Sequence, residues 1–167
     1  EGFEIAHEDL APNAMRSWDF IDNDTDPTCP SACGLRYGAT PSGDHGTSVG
    51  GITGAVAGNG KGGQGVAPNV KLSGYNFLAS QSYFTYVESN GHDTDNDTTH
   101  STQIDIFNGS YGTVIRPNAQ YDHETYYYRE ERYPRLGTEN LRNGKGAIYV
   151  KAAGNEFVRV DTSNVCQ

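Results

Sequence analysis

Three short apolar runs interrupt a chain that is otherwise polar and rich in glycine. They cover residues 70–77, 104–107 and 147–150, and each is followed by glycine or a polar turn. Continuous apolar runs separated by long connections are typical of buried parallel strands, because both faces of such strands are covered. The pattern therefore predicts an α/β fold with a parallel sheet.

A helix of small cross-section is predicted over residues 45–57. Its apolar members lie three and four positions apart, which is the spacing of one helical face. These members are Val49, Ile52 and Val56. We expect the helix to be buried, with Asp44 or Thr47 capping its start.

Two long polar stretches lie between these elements. Residues 21–44 are rich in Asp, Asn, Pro, Gly and Ser, and predict a long loop. Residues 115–143 are polar and tyrosine-rich, and predict an insertion with a short helix over 139–142. The insertion forms either a binding surface or a cover over the protein surface, and the pattern does not distinguish the two.

Composition narrows the class of protein. The 167 residues fit one domain, and no apolar run approaches the roughly 20 residues that a membrane span needs. A net charge of -9 argues against nucleic acid, because phosphate contacts need clustered Lys and Arg. The charge suits basic substrates, calcium, or simply solubility.

The chain has three cysteines, an odd number. Cys29 and Cys33 could close a short loop, and Cys166 could pair with a cysteine beyond Gln167. A zinc site is not expected, because no second pair of ligands with zinc spacing accompanies them.

Residues 44–52, with the sequence Asp-His-Gly-Thr-Ser-Val-Gly-Gly-Ile, are suited to catalysis. A general base must be exposed and yet rigidly held. His45 meets both requirements if it stands at the first turn of a buried helix. A histidine before Gly-Thr is usually an ordinary loop residue, so the inference depends on the whole pattern.

The stretch resembles the histidine motif of the subtilisin-like serine peptidases (the subtilase family), His-Gly-Thr-x-Val-x-Gly-Ile. Three further stretches match this family in order and spacing: Gly-Val-Ala-Pro at 65–68, the run 105–112, and the run 144–155. The second resembles the substrate-binding strand, where kexin-type members have Ser-Trp-Gly. The third resembles the strand that ends in the oxyanion asparagine.

The resemblance implies a subtilisin-like fold, with a parallel sheet flanked by helices, and a serine endopeptidase that works through an acyl-enzyme. It implies that His45 is the general base and that Asn155 donates a hydrogen bond to the oxyanion. The substrate-binding residues that it implies are Ser110, Tyr111, Gly112, Ala152, Ala153, Gly154 and Asp44.

No residue matches the family's catalytic aspartate or serine. The start of the chain fits the family's pattern if the aspartate lies just before Glu1, and the serine is expected well beyond Gln167. Ser48 follows Gly-Thr as the nucleophile does, but it lacks the following proline, so we expect a buried structural hydroxyl. We therefore expect a partial peptidase domain, without its first strand and C-terminal part, that is inactive alone.

The resemblance also implies a calcium site, which needs about six to eight oxygen ligands. The site would join an acid of the His-x-Asp-Leu pattern to the glycine-rich loop 56–63. The expected ligands are Asp9, the side-chain oxygen of Asn59, and the carbonyls of Val56, Lys61 and Gly63. The acidic runs 22–26 and 93–97 lack the Gly and Glu of an EF-hand loop and are interpreted as solvated loops.

Substrate preference stays open. Asp161 stands where kexin-type members bind a second calcium, but the acid expected after Ser-x-Gly is absent, because 113–116 read Thr-Val-Ile-Arg. This departure argues against a strict preference for paired basic residues. Glu1 and Asp44 could still attract a basic side chain at P2.

The main alternative is a non-catalytic relative that keeps the fold as a calcium-binding or interaction module. Retention of both His45 and Asn155 disfavours it. For the peptidase, the resemblance implies a secreted or periplasmic protein whose partners are a peptide or protein substrate and a propeptide or inhibitor.

Overall fold

The computed structural model describes residues 2–29, 44–92, 99–112 and 131–154. The chain divides into two compact units, Glu1–Ile104 and Asp105–Gln167, which are described separately. The elements of the described residues are helices α1 (Asp44–Gly54), α2 (Tyr83–Ser89) and α3 (Tyr133–Gly144), strands β1 (Ile106–Gly109) and β2 (Ile148–Lys151), and the 3₁₀ turns Phe77–Ala79 and Ser101–Gln103.

The core of the first unit packs the N-terminal segment against the end of α1. Its buried residues are Phe3, Leu10, Ala55 and Leu72, and Ile5, Ala14 and Val70 pack around them. Burial of each large apolar side chain contributes roughly 2 kcal/mol. This small core fixes the start of the chain beside the helix that carries His45.

Helix α1 ends where a later loop donates hydrogen bonds to its last carbonyl groups. The backbone N–H groups of Val66 and Ala67 donate to the carbonyls of Ile52 and Thr53, both at 2.9 Å. Helix ends leave such carbonyls without helical partners, so this loop acts as the C-terminal cap. The predicted helix is confirmed, but it ends at Gly54 rather than at residue 57.

One face of α1 is not buried, contrary to the prediction. Ser48 is exposed, and Ile52 is 70% exposed. These two residues are four apart and share a helical face, which the described residues leave uncovered. The opposite side of α1 contacts the rest of the unit. Gly50 is buried there, and the hydroxyl of Thr47 accepts a hydrogen bond from the N–H of Glu4 at 3.0 Å.

The prediction of a strand over 70–77 is wrong. Only isolated parallel bridges form there, Ala14 with Leu72 and Trp18 with Tyr75. A side chain replaces the backbone partner between them, because the N–H of Gly74 donates to the hydroxyl of Ser17 at 2.9 Å. The segment is extended and parallel, as expected, but its ladder is interrupted.

The loop predicted over 21–44 is confirmed in its described part, up to residue 29. Asp19 is 1% exposed and organises this loop by accepting the N–H groups of Ile21 and Asp22 through Oδ1. The acidic run 22–26 is exposed, as expected for a solvated loop. Cys29 is disulfide-bonded; Cys33 and Cys166 lie outside the described residues, as does the run 93–97.

The second unit contains a parallel pair of strands packed against α3. Strands β1 and β2 run parallel with Ile106 opposite Ile148 and Gly109 opposite Lys151. The positions of two of the three predicted strands are thus confirmed, each displaced by one or two residues toward the C-terminus, whereas their predicted burial on both faces is wrong for the described residues. Within the described residues, no helix is long and apolar enough to cross a membrane.

The two faces of this strand pair differ. On one face the rings of Phe107 and Tyr149 stack with centroids 4.7 Å apart, and Tyr149 reaches α3 at Gly137. On the other face apolar side chains are more than half exposed. They are Ile106 (56%), Ile148 (57%) and Val150 (51%).

Helix α3 is longer than the predicted helix over 139–142, and most of the predicted insertion around it lies outside the described residues. Its last turn is kinked, with positive φ at Arg142 and Asn143. The Arg142 side chain ion-pairs with Asp105 and donates to the carbonyl of Gly146. These contacts join the end of α3 to the start of β1 and the approach to β2.

Candidate functional site

His45 is the second residue of α1 and its side chain is exposed. The first turn of the helix holds the backbone beneath it, and Thr47 ties that turn to the N-terminal segment. An imidazole in this position is accessible to a substrate and fixed at its base, which is the arrangement that a general base needs. Asp44 is the first residue of α1; its side chain is not among those described.

Asp9 lies 36 residues before His45 and is a buried acid of the first unit. Its side chain is 4% exposed, and its two carboxylate oxygens accept different donors. Oδ1 accepts the Nδ2 amide of Asn59 at 2.7 Å, and Oδ2 accepts the N–H of Gly63 at 3.1 Å. The Asp9 carbonyl accepts the N–H of Val56 at 3.0 Å, so loop 56–63 closes around this one residue.

The loop itself is shaped by glycines and by Asn59. Backbone φ is positive at Gly58, Gly60 and Gly62, a conformation that side chains other than glycine rarely adopt. The Oδ1 atom of Asn59 accepts the N–H of Lys61 at 2.9 Å. Asn59 thus presents its nitrogen to Asp9 and uses its oxygen within the loop, whereas the predicted calcium site used that oxygen as a ligand.

The residues around Asp9 nevertheless suit a hard cation. The buried carboxylate accepts hydrogen bonds from the neutral N–H groups of Asn59 and Gly63, and the ammonium of Lys61 lies 3.3 Å from Glu8. A carboxylate, an amide oxygen and loop carbonyls are the oxygen ligands that calcium prefers. Within the described ranges, no three His, Cys, Asp or Glu side chains come together, so such a site would depend on carbonyl oxygens.

In the second unit, the carboxyl ends of β1 and β2 form an edge. The ladder continues one step past both strands, since the N–H of Ala152 donates to the carbonyl of Gly109 at 3.1 Å. Beyond this bond, residues 152–154 are exposed, and Ser110 accepts a hydrogen bond from Asn108 at 2.8 Å. The six residues predicted to bind substrate in this unit therefore lie at one edge, where ligands bind in open parallel sheets.

Lys151 is a residue of this edge that sequence reasoning missed. Its Nζ lies 3.6 Å from the centroid of the Tyr111 ring, within reach of a cation–π interaction. A signal is present in the sequence, because Lys151 is the one charged residue within the otherwise apolar run 147–153. The strand predicted from apolar residues covers 147–150 and therefore stops one residue short of Lys151.

Two predicted site residues, Asn155 and Asp161, lie outside the described residues. The remaining ones divide between the two units: Asp9, Asp44, His45 and the loop 56–63 in the first, and the strand-end residues in the second. Their predicted roles in catalysis and in calcium binding stay predictions.

The sequence matches the model of the subtilase family over residues 1–165. An extracellular serine protease of Aeromonas sobria is 32% identical over 162 residues, which are 96% of this chain and 23% of that protein. Neuroendocrine convertase 2 of Homo sapiens is 32% identical over 166 residues, covering 93% of this chain and 22% of the convertase. The chain thus spans about a quarter of these relatives.

Solved structures agree with these matches. The serine protease of Aeromonas sobria superposes with a TM-score of 0.63 at 30% identity, over 93% of this chain and 24% of that protein. Its complex with the chaperone ORF2 gives 0.62 at 31% identity over the same shares. The subtilisin-like fold that the motifs implied is confirmed, and the chain belongs to the subtilase family of serine proteases.

Proposed function

We propose that the protein containing this chain is a serine endopeptidase that hydrolyses peptide bonds through an acyl-enzyme. The observation that carries the proposal is His45, exposed at the first turn of α1 inside a motif of a family that matches residues 1–165. In this role His45 takes the proton of a serine hydroxyl as it attacks, and returns it to the leaving amine.

Two further groups complete the proposed chemistry. Asn155 follows the exposed segment 152–154 in sequence and would donate its side-chain amide to the oxyanion. The serine and the orienting aspartate are expected from outside these 167 residues. The chain by itself is accordingly expected to be inactive.

The edge formed by the ends of β1 and β2 is proposed to bind the substrate backbone. Residues 110–112 and 152–154 directly follow the paired ends of β1 and β2, and residues 152–154 are exposed, so their main chain is available to pair with an extended peptide. This mode suits an endopeptidase, because it recognises backbone and leaves side-chain preference to a few flanking residues.

Calcium is proposed to bind at Asp9 and loop 56–63, with Asp9, Asn59 and the carbonyls of Val56, Lys61 and Gly63 as ligands. Support comes from the buried carboxylate and from the oxygen-rich loop closed around it. Bound calcium would add charge neutralisation and cross-linking to this loop. Asn59 would have to turn its amide so that oxygen faces the ion.

The protein is further proposed to be secreted or periplasmic, as the extracellular relative of Aeromonas sobria is by its name. A propeptide, inhibitor or chaperone is a fitting partner, since that relative has been crystallised with a chaperone. No partner of this chain follows from the contacts of its described residues.

Peptide hydrolysis by the full-length protein tests the proposed function. We expect His45→Ala to lower kcat by at least about 10³-fold, because the base is lost. His100→Asn is the matched control, since His100 has a left-handed backbone that Asn tolerates and lies outside the proposed machinery. If the full-length protein cleaves no peptide, the non-catalytic module is the better account.

A further inference from the structure

The backbone at the start of the chain is bound by two different parts of the first unit. The N–H of Phe3 donates to the carbonyl of Pro27 at 2.9 Å, and the N–H of Glu4 donates to the hydroxyl of Thr47 at 3.0 Å. Pro27 lies in the acidic loop, whereas Thr47 lies in the first turn of α1. Residues 3 and 4 are therefore fixed relative to that turn.

The ring of Phe3 sets the spacing between this segment and α1. Phe3 is 6% exposed, and two glycines make room for it, Gly50 of α1 and Gly74. A Cβ at Gly50 would lie 2.5 Å from Cε2 of the ring, and a Cβ at Gly74 would lie 2.4 Å from Cβ of Phe3. Both distances are shorter than van der Waals contact, so the packing leaves no space for a methyl group on either side.

These contacts lie beside the proposed base. His45 precedes Thr47 by two residues and belongs to the turn that binds the N–H of Glu4. The orienting aspartate of the proposed mechanism is expected just before Glu1, in the same segment as Phe3. The contacts of Thr47 and Phe3 therefore join the turn that carries the base to the segment that leads to the group expected to orient it.

We propose that Thr47 is a positioning residue of the peptidase, whose hydroxyl fixes the turn that carries His45 to residues 3 and 4. The inference rests on the proposed function, because a positioning residue acts only through the base that it positions. Thr47 touches no reacting atom in this role. Its loss should therefore slow the chemical step and leave substrate binding almost unchanged.

The first experiment measures kcat and KM of the full-length protein on a peptide substrate. Thr47→Val removes the hydroxyl and keeps nearly the same shape. We expect kcat to fall by about 10- to 100-fold with little change in KM, because a displacement of about 1 Å costs up to about 10²-fold. Thr47→Ser keeps a hydroxyl and should restore most of the wild-type kcat.

Thr53→Val is the matched control for Thr47→Val. Thr53 is exposed on the same helix, and its hydroxyl donates to the carbonyl of Val49 at 2.8 Å, within that helix. The same substitution there should leave kcat at the wild-type level.

Gly50→Ala tests the packing contact independently of the hydrogen bond. The new methyl group must displace the buried ring of Phe3, so kcat should fall by about tenfold while KM changes little. Gly51→Ala is the control, since a Cβ at residue 51 would meet nothing within 4 Å, and it should leave kcat unchanged. Circular dichroism at the assay temperature shows whether each variant is folded.

A double-mutant cycle separates positioning from a general loss of structure. In His45→Ala the base is absent, so adding Thr47→Val should not lower the residual hydrolysis of an activated ester any further. A purely structural role of Thr47 would instead lower hydrolysis by the same factor with and without His45.

The possible results distinguish the two levels of inference. If the wild type cleaves peptides but Thr47→Val keeps the wild-type kcat, or loses the same factor with and without His45, the positioning role is wrong and the peptidase stands. An equal loss in Thr53→Val would also contradict it. If Thr47→Val does not fold, Gly50→Ala and its cycle with His45→Ala decide by the same criteria. If the wild type cleaves no peptide, the proposed function fails and this inference fails with it.

Discussion

Asp9 joins the start of the chain to the glycine-rich loop 56–63 of the first unit. Its buried carboxylate accepts donors from Asn59 and Gly63, and its carbonyl accepts the N–H of Val56. A carboxylate that receives several hydrogen bonds is costly to disturb, because each lost partner leaves a buried charge less satisfied. The loop and the start of the chain are therefore expected to unfold together.

Gly62→Ala should destabilise the chain. A Cβ at residue 62 would lie 2.3 Å from Oδ2 of Asp9, and the backbone φ of +46° adds strain for any L side chain. The left-handed conformation alone costs about 1–2 kcal/mol, so we expect the melting temperature to fall by at least about 3 °C. Thermal unfolding followed by circular dichroism measures the change.

Gly63→Ala is the control for this substitution, since a Cβ at residue 63 would meet nothing within 4 Å. It should leave the melting temperature almost unchanged. Equal effects of the two alanines would contradict the close packing of Gly62 against Asp9.

Tyr149 should give the chain a loss of stability at high pH. Burial raises the pKa of Tyr149 from 10.0 to about 12. Between these values the unfolded chain releases the phenolic proton while the folded chain keeps it, so stability is fully present below pH 10 and falls as pH rises toward 12. Urea unfolding at pH 9 and at pH 11 measures this difference.

Tyr149→Phe removes the titrating group and keeps the ring that stacks on Phe107. Its stability should decline less than that of the wild type between pH 9 and pH 11. Parallel declines would show that the buried phenol does not contribute to the pH dependence.

Between elements, one buried side chain joins the end of α1 to the loop that caps it. Nδ2 of Asn13 donates to the carbonyl of Gly54 at 2.9 Å and to that of Pro68 at 2.7 Å. Pro68 closes the Gly-Val-Ala-Pro signature, so this family stretch has a structural role here: it supplies the cap of the His45 helix.

Asn13→Ala should therefore loosen the helix on which His45 stands. Two hydrogen bonds are lost and two carbonyls, one of them buried, lose a donor, which costs about 2–3 kcal/mol. Asn140→Ala is the matched control, because Asn140 is exposed on α3 and donates to the carbonyl of Leu136 within its own helix. Similar losses from both variants, measured by urea unfolding, would count against the bridging role of Asn13.

The elements also show what a sequence can predict and where it fails. The spacing of apolar residues predicts helix α1, and continuous apolar runs predict strands β1 and β2, because secondary structure follows such local patterns. The same patterns do not predict which face is covered, since Ile52 and Ile106 are exposed. The segment 70–77 has the same apolar character but forms only isolated bridges, since the hydroxyl of Ser17, 57 residues earlier, accepts the N–H of Gly74 in place of a backbone partner. The sequence around residues 70–77 does not include Ser17, so a local pattern cannot predict this hydrogen bond.

In the candidate site, too, features set by local sequence were predicted and features set by distant residues were not. His45 was placed correctly at the start of α1, because its motif specifies both the helix and the position. The orientation of the Asn59 amide and the contact of Lys151 with Tyr111 depend on neighbours that are brought together only by the fold. Local sequence therefore does not predict the amide orientation, and for Lys151 it indicates only a charged residue after an apolar strand.

For the molecule as a whole, calcium is the proposed ligand with the most direct effect on stability. Added calcium should raise the melting temperature of the full-length protein, since a ligand at 100 times its Kd contributes about 2.7 kcal/mol. Asp9→Asn should remove most of this response, whereas Glu139→Gln, a change at an exposed residue of α3, should keep it. Calcium responses that are equal in all three proteins would contradict the site at Asp9.

A serine peptidase with His45 as its base should react with a fluorophosphonate probe, which labels an activated serine. The full-length protein is treated with the probe, and the labelled peptide is identified by mass spectrometry. We predict one labelled serine outside these 167 residues, loss of labelling in His45→Ala, and no labelling of the isolated chain. Labelling of Ser48, or absence of any labelled serine in the full-length protein, would contradict the account.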